Sequence, residues 1–142
     1  MFSKTCSYAL KIMIFLASVD RRKERVSVKD IADGIGSPKA FTAKVLQQLS
    51  KSKLIRSIPG PGGGYYLPED ADYNLVEIMA AINEDHVLTA CALGFEECSS
   101  ANPCPVHHQF VAAREEMRKT FDRITISRLS KSVEEGKSNL LE

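Results

Sequence analysis

SVKDIADGIGSPKAFTAKVLQQLSKSKLIRSIPGPGGGYYL, residues 27–67, carries two short helical patterns, a glycine-containing joint and a glycine-rich hairpin. Ser27 offers an N-cap and Asp30 an acidic first-turn residue, while Val28, Ile31 and Ala32 supply an apolar stripe. Gly34 and Gly36 are expected to stop this first helix, because glycine readily takes a positive φ. Ser37 is placed to cap the next one and Pro38 suits its first position, where no backbone N–H is needed. Phe41, Val45, Leu46 and Leu49 then recur at helical spacing as far as Lys53. Residues 54–58 read as a strand, 59–64 as a tight turn and 65–67 as a returning strand.

Two helices joined by a glycine turn, the second basic along one side, form a helix-turn-helix pattern or a purely structural helix pair. The hairpin directly afterwards favours the first, because it stands where the wing of a winged helix belongs. Lys39, Thr42 and Lys44 would face outward at the end of the second helix that enters a major groove, with Ser37, Ala40 and Ala43 beside them. Lys51 and Arg56 would meet phosphates, and Gly60, Gly62, Gly63, Gly64 and Tyr65 would bring bare backbone close to the duplex. A nucleotide-phosphate loop is excluded, since the glycines lack a Gly-Lys-Ser/Thr ending and no helix follows them.

Outward from this stretch the charge is divided. Residues 1–66 hold twelve Lys/Arg against four Asp/Glu, a net of +8, whereas 67–142 hold seven against fourteen, a net of −7. A basic front half suits a polyanion such as duplex DNA. Residues 4–19 are apolar around most of the helical circumference and predict a buried first helix, followed by a charged turn over 21–25. Lys11 interrupts the early apolar run and no small-residue cleavage site follows, so neither an export signal nor a membrane span is expected. That points to a reducing, cytoplasmic setting in which disulfides are not expected.

Behind an acidic linker, Leu75, Ile78, Met79 and Ile82 mark a short amphipathic helix. Val106, Phe110, Ala113, Met117, Phe121 and Ile124 form a near-heptad seam on a long helix starting at Pro105, with Arg114, Glu115, Glu116, Arg118 and Lys119 facing water. The seam fits the same helix of a second chain or packing back on the first helix. A homodimer matches the repeat of half-sites along a duplex. The residues after Arg128 read as a polar, frayed tail.

Between these helices lies CALGFEECSSANPCPVHH, residues 91–108, with three of the four cysteines and two of the three histidines. Cys91, Cys98 and Cys104 are separated by six and five intervening residues, and His107 lies three positions beyond Cys104, within a helical turn. A Cys3His zinc site and an iron–sulfur cluster are both chemically credible, and unligated reduced thiols are the third reading. The gaps exceed the two to four residues usual between paired structural zinc ligands, which favours the bulkier cluster. Bound metal would order a loop with little apolar content of its own. An enzyme is not expected, for no nucleophile triad, catalytic carboxylate pair or cofactor loop appears.

Nearly the whole chain resembles the IscR/NsrR (Rrf-type) bacterial iron–sulfur transcription regulators. The likeness rests on Tyr8-Ala-Leu10, residues 28–32, residues 46–54, Gly60-Pro-Gly-Gly-Gly-Tyr65, and Cys91, Cys98, Cys104-Pro and His107. It implies a homodimeric winged-helix repressor or activator, its cluster lying between the DNA-binding unit and the dimerisation helix. Such a regulator would respond to iron–sulfur status, nitric oxide or redox stress. It also implies Cys91, Cys98 and Cys104 as ligands. IscR-like members use a histidine where His107 stands, with [2Fe–2S]. NsrR-like members use an acidic residue of the partner's first helix, with [4Fe–4S], and this chain has Ser7 there. His107 and [2Fe–2S] are therefore favoured, [4Fe–4S] being the alternative, with His108 and Cys6 as substitute donors. Many relatives carry arginine where Pro59 stands, so Arg56 is left to take over that contact, and Ala43 and Lys44 also depart from the IscR-like pattern.

The expected protein is thus mainly α with a small β-hairpin wing. Residues 1–67 form the winged helix-turn-helix, 68–104 a linker, short helix and ligand loop, 105–127 the dimerisation helix and 128–142 a flexible tail.

Overall fold

The computed structural model describes residues 1–19 and 25–142; the charged turn expected over 21–25 falls largely outside the described residues. Helix α1 (Lys4–Ser18) is capped by Ser3, whose side chain accepts from the Cys6 N–H. It buries Cys6, Ala9, Leu10, Ile12, Met13, Leu16 and Ala17, as its wide apolar surface predicts. Helix α2 (Val28–Ile35) starts at the Ser27 cap, which accepts from the Asp30 N–H, and ends at Gly36 in the left-handed region (φ 66°).

Several boundaries differ from expectation, each for a visible reason. Gly34 does not end α2 but lies inside it, because a Cβ there would stand 2.3 Å from the Phe15 ring of α1. The cap of α3 (Lys39–Lys51) is Pro38, not Ser37, since the Pro38 carbonyl accepts from both the N–H (2.9 Å) and the hydroxyl (3.0 Å) of Thr42. The helix stops at Lys51, and Lys53 turns the chain at φ 64°. Leu54 and Ile55 then enter the core instead of the hairpin.

Strands β1 (Arg56–Ile58) and β2 (Gly64–Tyr66) pair antiparallel, Arg56 opposite Tyr66 and Ile58 opposite Gly64. Val26 adds a bridge to Tyr65, with N–H to O distances of 2.8 Å in both directions, and so fastens the hairpin to the entrance of α2. Helix α4 (Leu75–Ala81) begins with a capping box between Asn74 and Glu77 and continues into a 3₁₀ turn at Asp85–Leu88.

Helix α5 (His107–Arg123) starts two residues later than expected, His107 N–H donating to the Cys104 carbonyl at 3.0 Å. Its seam is split. Met117, Phe121 and Ile124 lean on the core, Phe121 stacking 5.6 Å from Phe2, whereas Phe110 is 46% and Val111 40% exposed. The expected flexible tail is corrected as well: helix α6 (Ile126–Glu134) packs along α1 and buries Ile126 and Ser130. Its route is set by the Ile126 N–H donating to the Tyr73 carbonyl at 3.0 Å and the Leu75 N–H to that of Ile124 at 3.2 Å.

One core joins all of this. Ile12, Met13, Leu16, Ile31, Ile35, Leu46, Leu49, Ile55, Leu67, Ile78, Met79 and Ile126 are fully buried, each contributing about 1.5–3 kcal/mol by leaving water. No described helix is long and apolar enough to cross a membrane.

Candidate functional site

Two regions carry the chemistry. The first is the outer side of α3 and the hairpin. Lys39, Ala40, Lys44, Lys51 and Arg56 are exposed and Ala43 is half-exposed, and none of the lysines is held in an ion pair with a described residue. Thr42 was expected to point outward and does not. It is fully buried, its hydroxyl 2.7 Å from that of Ser37 and bonded to the Pro38 carbonyl, so it braces the joint between α2 and α3. Tyr8 of α1 meets Phe41 edge-on at 5.4 Å and steadies the same helix from behind. The Arg56 guanidinium folds back on the Lys53 carbonyl at 2.7 Å, which leaves part of its fork for another acceptor.

The hairpin glycines divide by role. Gly60 and Gly62 stand at the open tip with nothing near a would-be Cβ. Gly63 would place a Cβ 2.0 Å from the Ile58 carbonyl oxygen, and Gly64 one 2.7 Å from that of Val26. The Gly63 N–H already donates to Gly60 and the Tyr65 N–H to Val26. Gly63, Gly64 and Tyr65 therefore shape the wing, while Gly60 and Gly62 present it.

The second region is the loop between the 3₁₀ turn and α5. Of its four expected ligands, Cys98 Sγ lies 3.5 Å from His107 Nδ1, and the Cys104 side chain is near enough to Cys91 to influence its thiol. Cys104 and His107 are buried, Cys91 and Cys98 half-buried. The Phe95 backbone N–H lowers the Cys91 thiol pKa most, and the N–H groups of Leu93 and Gly94 and the Cys104 side chain add to it against the effect of burial. Among the described residues no three His, Cys, Asp or Glu side chains are gathered tightly enough to hold a metal ion. An open cavity of about 360 Å³ adjoins the loop, lined by Ala90, Cys91, Phe110, Ala113, Arg114 and Met117.

The substitute donors stand apart from this arrangement. His108 is exposed beside His107, their rings 5.2 Å apart. Cys6 is buried in the α1 core, where desolvation, with Glu84 adding, pushes its thiol from 9.0 up to about 11. The folded chain thus holds the Cys6 proton over a range in which the unfolded chain releases it. This contribution to stability is complete below pH 9 and lost as pH rises to 11. Cys6→Ala is expected to flatten the fall in Tm across that window, read by calorimetry at fixed salt. An alkaline limb identical to the wild type would rule out the desolvated thiol.

Sequence reasoning missed two participants. Arg114, expected to face water, turns inward: it donates to the carbonyls of Thr89 (3.2 Å) and Ala90 and to Cys98 Sγ (2.9 Å). Its spacing of seven residues from His107, two helical turns, was the available signal. Ser52, at the end of α3, donates to the Ala81 carbonyl at the end of α4 (2.7 Å), a link no local pattern announces.

A family model described as Rrf2, iron-dependent transcriptional regulator, matches residues 2–132. The chain belongs to the Rrf2 family. A protein of Aquifex aeolicus assigned as an HTH-type transcriptional regulator is 33% identical over 131 residues, 90% of each chain. The HTH-type transcriptional regulator IscR of Yersinia pestis is 29% identical over 123 residues, 86% of this chain and 74% of that one. Among solved structures, CymR, the global cysteine regulator of B. subtilis, superposes with a TM-score of 0.74 at 21% identity, over 92% of this chain and 96% of that one. IscR of T. potens superposes with a TM-score of 0.72 at 22% identity, over 97% and 91%. These neighbours share the fold, mostly helical with a small hairpin. As an Rrf2 protein the chain is a transcriptional regulator and not an enzyme.

Proposed function

We propose that this Rrf2 protein is a homodimeric operator-binding regulator whose grip on DNA is set by an iron–sulfur cluster, [2Fe–2S] in preference to [4Fe–4S]. Cys91, Cys98, Cys104 and His107 would hold it. The observation carrying this reading is the presence of Cys91, Cys98 and Cys104 in one loop that runs into the first turn of α5, where Cys98 Sγ lies 3.5 Å from His107 Nδ1. The donor set suits iron. Loop N–H groups around Cys91 favour its thiolate, and the buried Arg114 Nε lacks an acceptor among the described residues, a donor that a thiolate- and sulfide-rich group would satisfy. When bound, such a group supplies a redox- and nitric-oxide-sensitive link among the four side chains.

The route to DNA is short. The loop leaves the 3₁₀ turn that follows α4, and Ser52 joins the end of α4 to the end of α3. Ordering the loop sets α4 and hence the pose of the reading helix. Releasing it lowers the population of DNA-competent dimers. The half-exposed seam of α5, with Phe110 uncovered and Val111 exposed beside it, supplies the surface for a second chain.

The absence of any gathered three-ligand group among the described residues, together with the likeness to CymR, supports a second reading in which the cysteines act as cluster-free thiol sensors. One experiment separates the two. Protein purified without oxygen is assayed for iron, acid-labile sulfide, visible absorption and operator binding. The cluster reading expects iron and sulfide in equal amounts and at least about tenfold different operator affinity after chelation, ~1.4 kcal/mol. Colourless protein whose affinity changes with thiol oxidation would establish the second reading in its place.

A further inference from the structure

We propose that Arg114 is the positioning residue of the cysteine loop, fixing Cys98 and the loop's entrance to α5 before iron arrives. This rests on the metal-centre reading above. An arginine on an outer helix face normally extends its guanidinium into water. Here the guanidinium reaches two carbonyls at the loop entrance, Thr89 and Ala90, and the sulfur of Cys98 in the loop's middle. One planar cation thereby joins two separated points of the loop to the long helix. Its fixed fork of donors is what permits this; an ammonium has no such reach in a plane.

The surroundings argue that the placement is specific. Among the described residues no carboxylate pairs with Arg114, and the neighbouring Glu115 and Glu116 bond instead to Arg118 and Lys119. The Nε is buried without an acceptor among the described residues, a cost that the other contacts must exceed. His107 lies on the same face two turns earlier and approaches the same Cys98 sulfur. Arg114 and His107 therefore bracket Cys98 from one helix, and α5 becomes the rigid element on which that donor is presented. When Cys98 ligates as a thiolate, the adjacent guanidinium offsets its charge.

The test compares wild type, Arg114→Met and Arg114→Lys. Methionine keeps the apolar stem without donors, and lysine keeps the charge without the fork. In the metal-free proteins, amide hydrogen exchange over residues 89–106 is expected to accelerate about tenfold in the Met variant. Lysine should recover only part of the protection, while thermal melting confirms an intact core in both. After iron reconstitution, a chelator should strip the Met variant several-fold faster than wild type, with the Lys variant between them. Exchange in the Met variant equal to wild type overturns the inference. A wild-type protein that takes up no iron overturns the metal-centre reading instead, and the exchange comparison still decides whether Arg114 holds the loop.

Discussion

Operator affinity is expected to fall by roughly 10⁴ between 50 and 200 mM salt, with a log–log slope of about −7. The magnitude follows from Lys39, Lys44, Lys51 and Arg56, all exposed on α3 and the hairpin. In the proposed dimer the four cations on each chain make eight phosphate contacts, each releasing about 0.9 of a counterion. Lys44→Ala should weaken binding to every sequence alike and flatten the slope by about 2, because the dimer loses that contact twice. Arg56→Ala should cost less, since part of its guanidinium already serves the Lys53 carbonyl. Titration of a labelled operator over a salt series reads all of these. A slope near zero would mean that this face does not meet the phosphate backbone.

Cys98→Ser is expected to remove nearly all bound iron, by more than about tenfold per chain, because a hydroxyl stays protonated where a thiol ionises and a four-donor site losing one strong donor loses several kcal/mol. His107→Ala should give a milder outcome: iron that loads but leaves faster, with altered visible absorption. His107 is buried and contacts Cys98, yet an exposed histidine stands directly beside it. Ser7→Ala should change neither quantity. Iron and sulfide analysis of the three oxygen-free proteins reads the contrast. Full iron retention in Cys98→Ser would exclude Cys98 from the ligand set, and an effect of Ser7→Ala equal to that of His107→Ala would move the fourth position to the first helix.

Periodicity and turn chemistry were enough to place α1 to α5 and the hairpin, because each is specified locally: a Ser27 cap, a Gly36 stop, an apolar stripe, a run of glycines. What escaped was decided across space. Thr42 looks like a groove-facing hydroxyl until the Pro38 carbonyl and Ser37 take it. Gly34 resembles a helix end until the Phe15 ring explains it. Helix α6 has a weakly apolar sequence and gains its order from α1, a partner more than a hundred residues away. The cysteine loop was legible as composition, three cysteines and a histidine, but the approach of Cys98 to His107 was not. Arg114 was hidden because a charge on an outer helix face ordinarily signals solvent.

The seating of α6 against α1 has a consequence for how the molecule can be divided. The chain's last helix supplies Ile126 to the interior of its first, so the reading head borrows a wall from the far end of the polypeptide. A fragment cut after the hairpin would expose that wall and should not stand alone. The front unit and the last helix share one packed interior, so neither can be removed without opening the other.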